Sequence, residues 1–555
     1  MTRVLTPRTS LENLKKDAKR WLKALRAGDS AARSRLSAAW PDAPAEPVLR
    51  DVQQAVARDY GCANWVALKA AIEDLSRLGK TEAERLDKLL RHGWDGDAVV
   101  ARRILQRHPE LARHNLFTAA VTGDLAEVER QLAPDPGAAG KTGGSLDWTA
   151  LAYVAYGRLD PENGPAIARR LLAAGADPNF RFDDGWGNAF SPLAGAIRLG
   201  EGSRPSHPQV QELLDLLIDA GADPYDFQAL YNISLVGADT HWYGVLWAYC
   251  EAQGGTGKWL DNSLGAKVND LSLNAVDYLL GSAVGQNHLA RAEWLLARGA
   301  DPNTLQGYRG ITVHALAQLS GYLKMVALLE RHGAKPSPLQ GVEALQAACL
   351  RGDKAAAHAL LAAEPQLIED PRPLLAAGEF GNASAVGLLL SMGASAMRPD
   401  EEGITPLHRA VQSGLTAAVD LLVTAGAEVD VQERRWNGTP LTWAVVLGQP
   451  AIAERLAPLS RDARTLGCMG ALDRLEAVLR EDPRRANETL PDENGPTPLF
   501  CLPADPDLAA KVARVLLRHG ADPGHKNGKG LTPAEVVREF GLEEAADLME
   551  GKAIL

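Results

Sequence analysis

Residues 403 to 430, GITPLHRAVQSGLTAAVDLLVTAGAEVD, are the clearest copy of a unit that recurs along the chain. Thr405 followed by Pro406 predicts a helix start, because the hydroxyl can cap free backbone N–H groups and proline at the first helical position gives up no hydrogen bond. Leu407 and Ala410 then face inward, and Gly414 ends the short helix. Ala417, Val419, Leu421 and Leu422 carry a second helix that Gly426 terminates in a left-handed conformation open to glycine. The unit is two helices joined to the next copy by a finger-like turn.

These residues, T-P-L-H, then G, then L-L-x-x-G-A, resemble the ankyrin repeat at most of its diagnostic positions. The resemblance implies an all-α solenoid of antiparallel helix pairs. Hairpin-like fingers would project to one side and form a concave groove with the first helices. Because one pair cannot bury its apolar face alone, neighbours must supply the other wall, and end repeats must turn a polar face outward. Signature glycines lie at Gly175, Gly221, Gly299, Gly333, Gly393, Gly426 and Gly520, with gaps of 46, 78, 34, 60, 33 and 94 residues. Gaps of 33 and 34 fit one repeat, and the longer ones span worn copies such as those beginning at Glu343, Gly438 and Thr465. Roughly a dozen units are expected over residues 81–555. A capping repeat closes the array at 531–550, where Leu531 begins LTPAEVVREFGLEEAADLME.

Ahead of the repeats, residues 1–80 form a separate basic module, with 15 Lys and Arg against 9 Asp and Glu. Its net of +6 leaves −17 for the remainder of a chain whose formal charge is −11. Thr9 and Glu12 have capping-box spacing, and Leu11, Leu14, Ala18, Trp21, Leu22 and Leu25 share one helical face. Lys15, Lys16, Lys19, Arg20, Lys23 and Arg26 make the other face basic, suited to phosphate, to a membrane surface or simply to solvent; solvent is the preferred reading. Helices are also expected over Val48–Tyr60 and Trp65–Leu75. The run ARDYGCANWVALKAAIE, Ala57 to Glu73, resembles a small helical module that precedes ankyrin repeats in many bacterial proteins, and it is read here as a packed cap.

The acidic balance argues against nucleic acid as the partner. Five cysteines without CxxC spacing predict neither a zinc site nor a disulfide framework. With no apolar leader pattern and no long apolar run, the chain is expected to be cytoplasmic, off the membrane and monomeric. No cofactor and no metal is predicted. GGTGK (Gly254 to Lys258) fails as a phosphate loop because Trp259 stands where a Ser or Thr would hold magnesium. His408 belongs to T-P-L-H and is expected to bond backbone in the loop region, as the resemblance implies.

Function is sought where repeats deviate. The finger Arg181–Phe190 offers Asp183, Asp184, Trp186 and Asn188; another offers Tyr308 and Arg309; a third offers Arg434, Arg435, Trp436 and Asn437. Trp, Tyr and Arg are the types enriched at protein-binding hot spots. The section 225–274 lacks a clean repeat and is read as two helices, Gln228 to Ser234 and His241 to Glu251. The leading expectation is a non-catalytic scaffold that takes a protein or peptide partner on its groove and finger tips, as ankyrin repeats mostly do. The alternative is an enzyme or small-molecule binder in section 181–274, where Asp183, Asp184, Tyr231, Asn232, His241 and Trp242 would converge on an apolar pocket.

Overall fold

The quoted repeat folds as its punctuation predicts. Thr405 is extended and caps the helix Pro406–Ser413, its Oγ1 accepting from the His408 N–H at 3.4 Å. Gly414 leaves that helix with φ of 74°, and Gly426 follows the helix Thr416–Thr424 with φ of 87°. Both angles are left-handed values that a Cβ would disfavour. Leu407, Ala410, Val411, Ala418, Val419 and Leu422 are buried. One expected core position is corrected: Leu421 is 38% exposed, and Ala417 beside it is exposed as well. Residues 418, 419 and 422 share one stripe of a helix turning 100° per residue, whereas 417 and 421, four apart, form the adjoining stripe that faces water.

The computed structural model describes residues 11–41, 43–44, 47–65, 68, 81–94, 98–159, 162–183, 189–197, 205–489, 495–540 and 542–551. The chain divides into two units, Met1–Leu279 and Leu280–Leu555. Within both, the repeating element is the helix pair, and strands occur as two- and three-residue finger hairpins.

The first unit opens with helices Leu11–Arg26, Ser30–Ala39 and Leu49–Asp59, packed around Ala18, Trp21, Leu36, Val52 and Val56. Ser30–Ala39 has a thin apolar stripe, Ala32, Leu36 and Ala39, with Leu36 alone large and buried. It is held further by an Asp29 cap that accepts from the Ala31 N–H at 2.8 Å and by Arg35, which pairs with Asp59 at 2.9 Å and lies 3.7 Å over the Trp21 ring. Lys19, Arg20, Lys23 and Arg26 are exposed. Thr9 and most of the expected Trp65–Leu75 helix lie outside the described residues. Helix pairs follow from Glu82–His92 with Ala98–Arg107 to Pro192–Ile197 with Val210–Asp219. Their centre is Trp148, with Tyr156 at 5.2 Å, Trp94 at 5.3 Å and Phe182 stacked at 4.3 Å. Phe182 and Phe190 are also partners across the base of the Arg181–Phe190 finger, so that base is anchored in the core.

Section 225–274 holds the two expected helices, observed as Phe227–Ser234 and His241–Ala252, then a tight turn Thr256–Leu260 and a hairpin pairing Ala266–Val268 with Leu271–Leu273. Trp259 is fully buried, its ring 5.3 Å from Trp247 and its Nε1 donating to Cys250 Sγ at 3.3 Å. Lys258 of the GGTGK run pairs with Asp223 at 2.6 Å. That segment therefore serves packing.

In the second unit a continuous core runs from Leu345 to Met549. The last pair, Pro533–Glu539 with Glu543–Met549, starts on a reciprocal cap between Thr532 and Glu535. Arg538 there pairs with Asp547 at 3.1 Å and Glu550 at 2.7 Å, giving the array a charged end.

One tie recurs in both units. Asn179 donates to the Gly221 carbonyl at 2.8 Å and accepts from the Asp223 N–H at 2.9 Å. Asn487 does the same with Gly520 at 2.7 Å and Asp522 at 2.6 Å. Asn303 bridges to Gly333 and Lys335 in the same way. Each carboxamide satisfies the polar groups that the next left-handed glycine turn leaves open.

Two outcomes follow from this packing. Leu422→Ala should cost about 2 to 5 kcal/mol and Leu421→Ala about 1 kcal/mol or less, as read by denaturant unfolding. Acid sensitivity should begin above the carboxylate range. Burial, with help from Arg158, pushes the His207 imidazole down to about 4, and burial also lowers His408. An unfolded histidine takes up a proton near pH 6.5, about the ordinary value, so stability is lost as pH falls from there toward the lowered values. The melting temperature should therefore fall between pH 7 and pH 5 (about the His window), and less steeply in His207→Asn, whose carbonyl can still accept from the Gln209 N–H.

Candidate functional site

The finger Glu433 to Gly438, ERRWNG, is wound around one buried carboxylate. Glu433, 1% exposed, accepts from the backbone N–H groups of Arg435 at 2.6 Å, Trp436 at 3.1 Å and Gly438 at 2.9 Å. Burial alone would raise this carboxyl, but the N–H donors of Gly438, Trp436 and Arg435, with the Trp443 side chain, hold it below the ordinary glutamate value. Asn437 closes the turn at φ 52°, a left-handed angle that asparagine tolerates. The expected role of His408 is borne out: its Nε2 donates to the Gly438 carbonyl at 3.1 Å while its Nδ1 accepts from the Thr405 N–H at 3.2 Å. Winding around an inward carboxylate turns the next large side chain outward, and Trp436 is 63% exposed.

Trp436 stands over a concavity of about 690 Å³ whose walls are almost wholly apolar, among them Trp443, Val446, Leu447, Cys468 and Cys501. The Trp436 and Trp443 rings meet edge to face at 6.4 Å, and the Arg435 guanidinium lies 4.7 Å over Trp436. Helix Pro440–Val446 supplies one wall and helix Ala463–Cys468 the next. Val446 is 77% exposed and Leu447 47%. Burial raises both thiols, that of Cys501 to about 11, and both are free. They are therefore apolar wall rather than nucleophiles at neutral pH.

Arg464 joins this concavity to a smaller polar one of about 310 Å³ that also includes Asp430, Asp462, Arg485 and Glu488. Asp462 is saturated there, accepting from Thr465 Oγ1 at 2.6 Å, from Thr439 Oγ1 and Thr442 Oγ1 at 3.2 Å each, and from the Thr465 N–H at 3.0 Å. Asp430 accepts from Ser460 and from the Arg461 N–H, and Glu488 pairs with Arg485 at 3.2 Å.

Of the residues singled out from sequence, Arg434, Arg435, Trp436 and Asn437 come together here. Arg434 donates to the Glu401 carbonyl at 2.8 Å and so links two fingers. Tyr308, 64% exposed, and Arg309, 3.9 Å from Glu379, sit on another finger of the same unit. In the first unit Asp183 is exposed at a finger base, and Asp184, Trp186 and Asn188 lie outside the described residues. Asn232 is fully buried and accepts from Gln228 at 2.9 Å, and Tyr231 packs 6.2 Å from Tyr278. His241 is exposed with its ring 4.7 Å from that of Trp242.

Trp443, Val446, Leu447 and Arg464 were missed, although a signal exists. Aligning TPLHRAVQSG (405–414) with TPLTWAVVLG (439–448) puts Trp443 at Arg409, Val446 at Gln412 and Leu447 at Ser413. Three polar positions of the standard repeat are thus apolar in the next. Among the described residues, no cluster of three or more His, Cys, Asp or Glu is placed to hold a metal, and no helix is long and apolar enough to cross a membrane.

Comparison with known proteins agrees with the stacking. Residues 372–465 match the family model for ankyrin repeats (three copies). A protein of Escherichia coli (strain K12) named as ankyrin repeat protein YahD is 26% identical over 193 residues, 32% of this chain and 94% of its own length. Residues 372–465 thus carry ankyrin repeats, and that relative and the helix pairs with their finger turns support an ankyrin-repeat protein.

Proposed function

We propose that the protein is a non-catalytic scaffold that holds a protein or peptide partner in the second unit, on the Trp436 finger and the apolar concavity beneath it. Ankyrin repeats generally mediate protein–protein interaction. One observation carries the more specific reading: Trp436, Val446 and Leu447 are exposed side by side around a concave apolar wall, at positions where the preceding repeat is polar. The stack does not need those side chains, because the inward residues Leu441 and Ala444 of the same helix are already fully buried. A contiguous exposed apolar patch on a rigid support is what a partner covers. A small-molecule site in section 181–274 has less support. Its aromatics Trp259, Tyr225 and Tyr243 are interior, and Asn232 is buried away from the exposed His241.

Trp436→Ala, and separately Val446→Gln with Leu447→Ser, should each reduce partner recovery from a pull-down with the intact chain by about tenfold or more. Unfolding free energy should change by about 0.5 kcal/mol or less, since Trp436 is exposed and the other two replacements put back the polar types of the standard repeat on an exposed face. Undiminished recovery, or loss of stability in parallel with binding, would remove the concavity from the function.

A further inference from the structure

The concavity has an unbalanced rim. Among the described residues, the carboxylates near it already hold donors: Glu433 three backbone N–H groups, Asp462 three threonine hydroxyls and an N–H, Asp430 the Ser460 hydroxyl and the Arg461 N–H, and Glu488, which stays half-exposed, Arg485. Two guanidiniums stand the other way. Arg464 lines both concavities, and among the described residues nothing accepts a hydrogen bond from it and no carboxylate lies in ion-pair reach. Arg435 is exposed and lies over the Trp436 face, and its guanidinium likewise has no acceptor among the described residues. Stacking on an aromatic ring holds a guanidinium in place while leaving its N–H edge free.

Among the described residues the site thus offers apolar wall and two guanidiniums without an acceptor, while its carboxylates already hold donors of their own. Resting on the scaffold reading above, we infer that the partner is a peptide segment combining an aromatic or branched apolar residue, which enters between Trp436, Trp443, Val446 and Cys468, with an acidic residue beside it, whose carboxylate is taken by Arg464 or Arg435. The argument is one of complementarity. A basic segment would meet the two guanidiniums with like charge, and a neutral one would leave their donors unfilled as it displaced water. A carboxylate fills a guanidinium fork with two parallel hydrogen bonds. A volume of about 690 Å³ also accommodates more than one side chain of such a segment.

The test uses the intact chain and a random-peptide phage library, selected in parallel on wild type and on the Val446→Gln, Leu447→Ser variant. Peptides enriched on wild type and lost on that variant should carry Asp or Glu next to an aromatic or branched residue. For a synthetic copy of an enriched peptide, fluorescence polarisation should show about tenfold weaker binding when its acids become amides, the worth of one charge-assisted hydrogen bond. Binding should also weaken with salt. In Arg464→Gln with Arg435→Gln, the difference between acid and amide peptides should largely vanish. Enriched peptides that depend on Val446 and Leu447 but are neutral or basic would overturn the acidic partner and leave the scaffold reading standing. A library that yields no peptide, or peptides indifferent to the Val446→Gln, Leu447→Ser change, would reject a peptide-binding concavity itself.

Discussion

Val419 and Leu422 are fully buried in a core that their own first helix begins and the pairs before and after complete. A two-helix unit of this length has an apolar face on each side and too few residues to fold back over either, so burial is reached only by stacking. The rest of the structure depends on that constraint. It requires the two helices to be short and antiparallel, and therefore the left-handed glycines at Gly414 and Gly426. It also requires a charged last pair, met by the Arg538 cluster.

Apolar stacking is not directional, and polar ties fix its register. The carboxamides of Asn179, Asn303 and Asn487 each bridge to the following glycine turn, and His408 reaches the finger of the next repeat. The His408 tie is buried and so removes a desolvation cost as well as setting alignment, whereas the asparagine ties are exposed and act on alignment. The neutral, doubly bonded imidazole of His408 belongs to this class, and its lowered proton affinity is a consequence of the fold rather than a sign of chemistry.

The two departures from the repeat pattern have different ends. In section 225–274 Trp259 and Tyr225 go inward, the Trp259 ring packing on Trp247 of the helix His241–Ala252. In the Pro440–Val446 repeat the departure goes outward, putting Val446 and Leu447 where Gln412 and Ser413 stand one repeat earlier. An unusual aromatic is therefore no guide to function until its direction is known. The Glu433 turn supplies that direction for Trp436, because a carboxylate pulled beneath the finger leaves the indole above it.

The sequence by itself determined the repeat, its caps and the finger turns, because these rest on short-range rules: Thr405 before Pro406 and glycine at left-handed positions. It also picked out the Arg434 to Asn437 finger by residue type. It misassigned Leu421, where one helical stripe had to be told from the next, and it gave no notice of the Ser30–Ala39 helix, whose thin stripe is mostly alanine and whose hold on its neighbours is shared by Leu36 and Arg35. Only the tertiary structure decided that Trp259 is interior, that Trp436 is exposed, and that Trp443, Val446, Cys468 and Cys501 face one concavity with Arg464 at its edge. The reason is physical: whether a side chain is covered, and which donors remain unfilled, depends on what the neighbouring repeats place opposite it, at separations of thirty or more residues that local spacing does not encode.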